Sequence, residues 1–187
     1  MGPSQLTDPV TIEFPPVSAA ERTEFVHDIV NVVNKSYTET EGDIFLPGYQ
    51  RTSPLEVADL IRTGRLAVAF QSPAKEPVGC VSLKSVSPTQ NSFAMLALSP
   101  AYRGLGLGKK LVQFVEEHSQ SQGCKVMQLE LLVPTTFEHP FKRRIQAWYS
   151  KMGYQVVKVG QFEEDYPAIA PLLAGPAEYR ISEKALV

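Results

Sequence analysis

The chain has 187 residues, of which 43% are hydrophobic and 20% charged, and its formal net charge is -2. That length suits one domain with a proper core. The composition excludes a disordered chain, and the near-balance of charge excludes a bulk nucleic-acid binder. Only Cys80 and Cys124 are present, which rules out a disulfide framework and offers no metal-ligand spacing, so no metal is expected. Met1 to Pro16 has no basic start followed by an apolar run, and no apolar stretch approaches membrane-spanning length. The expectation is a cytoplasmic protein with no membrane or nucleic-acid partner.

Val10 to Phe14 reads as a short strand before Pro15 and Pro16. A helix follows from Ser18 to about Tyr37, with Ser18 and Glu21 as a capping box and Phe25, Ile29, Val30 and Val33 on one face. Glu41 to Arg51 has no periodicity and reads as a loop. Ser53, Pro54 and Glu56 start a second helix that carries Leu55, Leu60 and Ile61 and stops near Gly64. Strands are predicted at Arg65 to Phe70, Pro77 to Val86 and Ser92 to Leu98. A turn, Ser99 to Gly108, leads into a helix from about Leu107 to Gln122, which Gly123 ends. Lys125 to Val133 is another strand. Pro140 opens a helix with Phe141, Ile145, Trp148 and Met152 along one face, which leaves Tyr149 on the shoulder. Tyr154 to Gly160 is a strand, Tyr166 to Pro176 a Pro-rich excursion, and Glu178 to Ser182 closes as an edge strand. The order is α/β (α+β), in one domain over 1–187 with residues 1–9 as a flexible N-terminus.

The informative stretch runs from Leu96 to Lys110. Gly104, Gly106 and Gly108 precede a helix whose first amides lack partners and whose dipole favours an anion, and Arg103, Lys109 and Lys110 add positive charge. These features describe a pyrophosphate site. A P-loop needs a hydroxyl where Lys110 stands, and in the Rossmann pattern the third glycine would come one position after Gly108. Arg/Gln-x-x-Gly-x-Gly fits, filled by Arg103, Gly106 and Gly108. With that turn, the strand before it and Tyr149, Gly153 and Tyr154 about 40 residues on, the chain resembles the GNAT superfamily of N-acetyltransferases.

The resemblance implies a mixed, mostly antiparallel sheet of about six to seven strands, flanked by about four helices, with two central strands splayed around acetyl-CoA. Those strands would be Ser92 to Leu98 and Lys125 to Val133. The backbone of Leu96, Ala97 and Leu98 would meet the pantetheine arm. Arg103 and the amides of Gly104, Leu105, Gly106, Leu107, Gly108 and Lys109 would hold the pyrophosphate. It further implies direct attack of an amine on the thioester, with Tyr149 as general acid toward a thiol of pKa near ~8.5. The family often has an asparagine where this chain has Lys142, which could reach a phosphate instead, as could Arg143 or Arg144.

Glu130 is a candidate base, with His118 and His139 as others. Tyr37, Glu41 and Asp43 lie where the family's acceptor pocket is usually lined, and acids there suit a cationic amine. The acceptor is expected to be a small-molecule amine. A protein lysine or N-terminal amine, and a non-catalytic coenzyme-A-binding module, are the competing readings. A monomer or a homodimer is expected.

Overall fold

A computed structural model describes residues 9–186; of the expected flexible stretch 1–9, residues 1–8 lie outside the described residues. In chain order the elements are β1 (Val10–Glu13), α1 (Thr23–Glu41), α2 (Pro54–Arg62), β2 (Leu66–Gln71), β3 (Glu76–Ser87), β4 (Gln90–Leu98), α3 (Leu107–Ser121), β5 (Val126–Pro134), α4 (Pro140–Lys151), β6 (Gln155–Gln161), the single-turn α5 (Phe162–Asp165) and β7 (Ala177–Ala185). Short 3-10 turns occupy Val17–Glu21, Pro100–Tyr102 and Ala170–Leu172. The seven strands form one sheet in the order β1-β2-β3-β4-β5-β7-β6. This is the expected mixed α/β fold.

The described residues group into two compact units. The first comprises 9–36, Thr52–Leu83 and Met95–Val115; the second comprises Tyr37–Arg51, Lys84–Ala94 and 116–186. In the first unit β2 is antiparallel to both β1 and β3, and Leu66 to Phe70 are all buried, as a strand covered on both faces requires. Ile29 and Val33 of α1, Val57 and Ile61 of α2, and Leu111 and Val112 of α3 complete this core. Each such side chain contributes about 1.5–3 kcal/mol by leaving water. Ser53 caps α2 as its sequence predicts: its hydroxyl accepts from the Glu56 amide at 3.3 Å, with Pro54 in the first turn.

In the second unit β5 is antiparallel to β7 from Val126↔Ala185 to Pro134↔Ala177, and β6 is antiparallel to the other side of β7. β4 and β5 pair in parallel only from Gln90↔Val126 to Phe93↔Leu129. Beyond Phe93 the ladder stops. Met95, two residues on, has φ 54, in the left-handed region that a non-glycine residue rarely adopts and outside the extended range of a regular strand.

Four expectations are corrected. Val17–Glu21 is a 3-10 turn without a side-chain cap, and Arg22 (φ -86, ψ 93) interrupts it, so α1 starts at Thr23; Glu21 ion-pairs instead with Arg62 at 2.8 Å. α1 also continues through Glu41, which is therefore helical and not in a loop. β7 is interior and β6 is the edge, because the excursion before β7 returns the chain between β5 and β6. Leu55, read as part of the apolar face of α2, is 82% exposed; Val57 and Ala58 take its place.

Candidate active site

The turn before α3 lies wholly in the first unit. Gly104 (φ 77) and Gly106 (φ 81) are in the left-handed region and exposed, and a Cβ on either would meet nothing within 4 Å. Backbone shape, not crowding, therefore calls for glycine there. The first helical hydrogen bond of α3 runs from the Lys110 amide to the Gly106 carbonyl at 3.2 Å. Among the described residues, the amides of Gly104 to Lys109 have no acceptor. Arg103 is half-buried; its guanidinium donates to the Leu98 carbonyl at 3.3 Å and the Ser36 hydroxyl at 3.4 Å. Lys109 is exposed and Leu107 is buried as the anchor of the helix. Row, dipole and guanidinium fit a diphosphate, the group expected here.

β4 is held against β3 just before this turn. The Ser99 amide donates to the Val78 carbonyl at 2.8 Å, and a side chain at Gly79 would lie 2.9 Å from the Ala97 carbonyl oxygen. Leu96 and Leu98 are half-buried and Ala97 is buried.

The second unit holds Tyr149, and here α4 departs from its expected face. Its buried residues are Lys142 and Tyr149, two turns apart on one stripe, while Phe141, Ile145 and Trp148 are half-buried. Tyr149 packs with Phe93, Trp148 and Tyr154 at ring separations of 4.9–6.0 Å. Its hydroxyl has no hydrogen-bond partner among the described residues. Burial, with the neighbouring Tyr37 and Glu41 adding to it, holds the phenol well above the usual tyrosine range, so the group is a donor at neutral pH.

Lys142 is 3% exposed and ion-paired with Glu41 at 2.6 Å. Burial holds its ammonium below the usual lysine range, with Glu41 and then Asp43 acting against that. The lysine offered by sequence to a phosphate is thus committed to a carboxylate, and Glu41 is no longer an acid waiting for a cationic substrate. Asp43 is likewise engaged: its Oδ1 lies 3.0 Å from His139 Nε2. His139 Nδ1 accepts from the Lys142 amide at 3.3 Å, so the ring proton sits on Nε2 and is donated to Asp43. His139 therefore caps α4. The His-Pro pair at a helix start is the signal that could have located it.

Glu130 lies on β5 with Gln128 on the same side, as alternation requires. Gln128 Nε2 donates to Glu130 Oε1 at 3.1 Å, and the Tyr166 hydroxyl donates to Oε2 at 2.5 Å. The Tyr179 hydroxyl donates to that of Tyr166 at 3.2 Å. Burial and the bond to Glu130 push the Tyr166 phenol up to about 12. Tyr166 and Tyr179 were not singled out from sequence; they fall in and beside a Pro-rich excursion with no periodicity. His118, half-buried on α3, has no role assigned by the geometry. Among the described residues no group of three or more His, Cys, Asp and Glu could hold a metal, and no helix is long and apolar enough to cross a membrane.

No curated protein matches. Among solved structures, the PaiA N-acetyltransferase of Thermoplasma acidophilum, in complex with coenzyme A, is 17% identical with a TM-score of 0.66, over 95% of this chain and 99% of that one. Ard1 of Thermoplasma volcanium is 16% identical with a TM-score of 0.64, over 95% and 98%. An aminoglycoside 6'-N-acetyltransferase complexed with coenzyme A is 15% identical with a TM-score of 0.63, over 87% and 91%. Residues 62–156, just over half of the chain and containing both the glycine turn and Tyr149, match the acetyltransferase (GNAT) domain, and the chain belongs to that family of acyltransferases.

Proposed function

We propose that this chain, as one catalytic domain over residues 1–187, moves an acetyl group from acetyl-CoA to a primary amine of a small molecule. The observation that carries the reading is the row of amides from Gly104 to Lys109, which have no acceptor among the described residues and open a helix beside Arg103. That row and the guanidinium hold the diphosphate. The backbone of Leu96, Ala97 and Leu98 holds the pantetheine arm. Acetyl-CoA supplies the acyl group as a thioester.

Tyr149 donates to the sulfur. A phenol so reluctant to ionise keeps its proton and acts as a hydrogen-bond donor to the charge building on sulfur as the carbon–sulfur bond breaks, and coenzyme A leaves as the thiolate that this bond stabilises. Glu130 takes the proton released by the amine; Gln128 and Tyr166 fill one acceptor site on each oxygen and leave the remainder. Tyr37 shapes the surroundings of Tyr149. Glu41 and Asp43 support that region through Lys142 and His139, so recognition of a cationic acceptor falls to Glu130. A small amine is the class named for the aminoglycoside enzyme of the same fold.

The test is a thiol-release assay with acetyl-CoA against small amines and against peptides offering lysine or a free N-terminus. Release with small amines is expected. Release with peptides alone overturns the acceptor class, and coenzyme A binding without release on any acceptor overturns catalysis.

A further inference from the structure

Tyr166 is placed with more care than a loop residue needs. It follows α5 in the segment between β6 and β7, and its ring is stacked on Phe162 at 5.1 Å and set edge-on to Tyr179 at 5.5 Å. Phe162 and Tyr179 are both buried, and the Tyr166 amide donates to the Phe162 carbonyl at 2.8 Å. Ring and backbone are therefore fixed before any ligand arrives. The hydroxyl lands 2.5 Å from Glu130 Oε2, the length of a charge-assisted O–H to carboxylate bond. Behind it the Tyr179 hydroxyl donates into the Tyr166 oxygen, which strengthens the bond in front.

Glu130 has no cationic partner among the described residues. It is half-buried, and its two bonds come from neutral donors. A free glutamate on a strand samples several rotamers. This one is pinned on both oxygens, by Gln128 from its own strand and by Tyr166 from the far segment. The same segment is tied on its other side to the loop after α1: the Leu46 amide donates to the Leu172 carbonyl at 2.7 Å, and the Ala174 amide to the Ile44 carbonyl at 2.9 Å. Tyr166 thus reaches Glu130 from a braced strap.

We propose that Tyr166 is a positioning residue for acetyl transfer: through its bond to Glu130 it fixes the carboxylate in the orientation that receives the proton of the acceptor amine. The inference rests on the reading of Glu130 as that proton acceptor. Tyr166 itself gives up no proton. It remains the donor while Glu130 is charged, and Tyr179, which interacts with both Tyr166 and Glu130, supports the pair.

The experiment is a double-mutant cycle in the full chain with Tyr166→Phe and Glu130→Gln. Acetyl transfer is measured with spermidine, glucosamine and lysine amide as probes, and folding is checked by thermal melts. Tyr166→Phe should lower kcat about tenfold, with KM for acetyl-CoA unchanged. In the Glu130→Gln background the same substitution should change kcat less than about twofold, because the bond it removes has lost its purpose. Tyr179→Phe should give a smaller loss of the same kind and serves as a second variant if Tyr166→Phe folds poorly. If Glu130→Gln keeps the full rate, the proton-acceptor reading falls and takes this inference with it. If Glu130→Gln is impaired while Tyr166→Phe is not, or if the two losses simply multiply, the positioning role alone is overturned.

Discussion

At the start of α3 the amides of Gly104 to Lys109 have no acceptor among the described residues, whereas at the end of α1 Glu41 and Asp43 are each bound to a partner brought by α4. The two regions handle charge in opposite ways. The glycine turn keeps donors exposed to water, where they cost little until an anion arrives. The α1–α4 region takes an ammonium out of water and must compensate it within the protein. The first should therefore report on ligand more than on folding, and the second on folding first.

Glu41→Gln is the strongest way to break that contrast. It leaves Lys142 buried without its counter-ion and should cost about 3–5 kcal/mol at neutral pH, read by chemical denaturation. The sign of its pH dependence follows from the lowered ammonium. Between its folded value and 10.5 the unfolded chain binds the extra proton, so stability contributed at this site rises with pH across that window. Glu41 raises the folded value, so its removal widens the window, and the deficit should be greatest at about pH 7 and shrink toward about pH 10. A deficit that does not change with pH would mean that Lys142 is not the group left stranded.

Tyr149→Phe tests the second unit by activity. It should lower kcat by about 100-fold while acetyl-CoA affinity and the melting temperature barely move, because the phenol oxygen has no hydrogen-bond partner to lose among the described residues. A large fall in stability would mean that the hydroxyl is a structural group. Arg103→Ala examines the first unit in the complementary way. Coenzyme A affinity by calorimetry should weaken about tenfold, because the guanidinium beside the amide row is removed. Unchanged affinity would remove the diphosphate assignment.

The difference between the regions also explains what the sequence disclosed. The glycine turn is local: glycines, arginine and helix start are contiguous, so spacing alone locates it. Ser53 and Pro54 were legible for the same reason. The Lys142–Glu41 pair joins residues 101 positions apart, on helices whose mutual rotation no periodicity gives; α4 looked apolar along Phe141, Ile145 and Trp148, yet it buries Lys142 and Tyr149. A lysine scores as polar in any pattern, and only its partner makes burial tolerable. Tyr166 was hidden by a segment without period, and the left-handed Met95 by a residue type that rarely adopts that conformation.

The smallest expected effect, Gly104→Ala, sharpens the comparison most finely. A Cβ at Gly104 meets nothing within 4 Å, so no clash is added; at φ 77 the cost is backbone conformation alone, about 1–2 kcal/mol. In a chain of 187 residues that corresponds to a melting temperature lower by about 2–8 °C. Gly79→Ala should cost more, because there the new carbon meets the Ala97 carbonyl oxygen at 2.9 Å, which belongs to backbone and cannot swing away. If glycine is also kept at 104 so that an anion can approach the amide, coenzyme A affinity measured well below the melting range should fall a further few-fold. A fall in stability with affinity intact would assign Gly104 to turn geometry only and leave the diphosphate to the amides nearer α3.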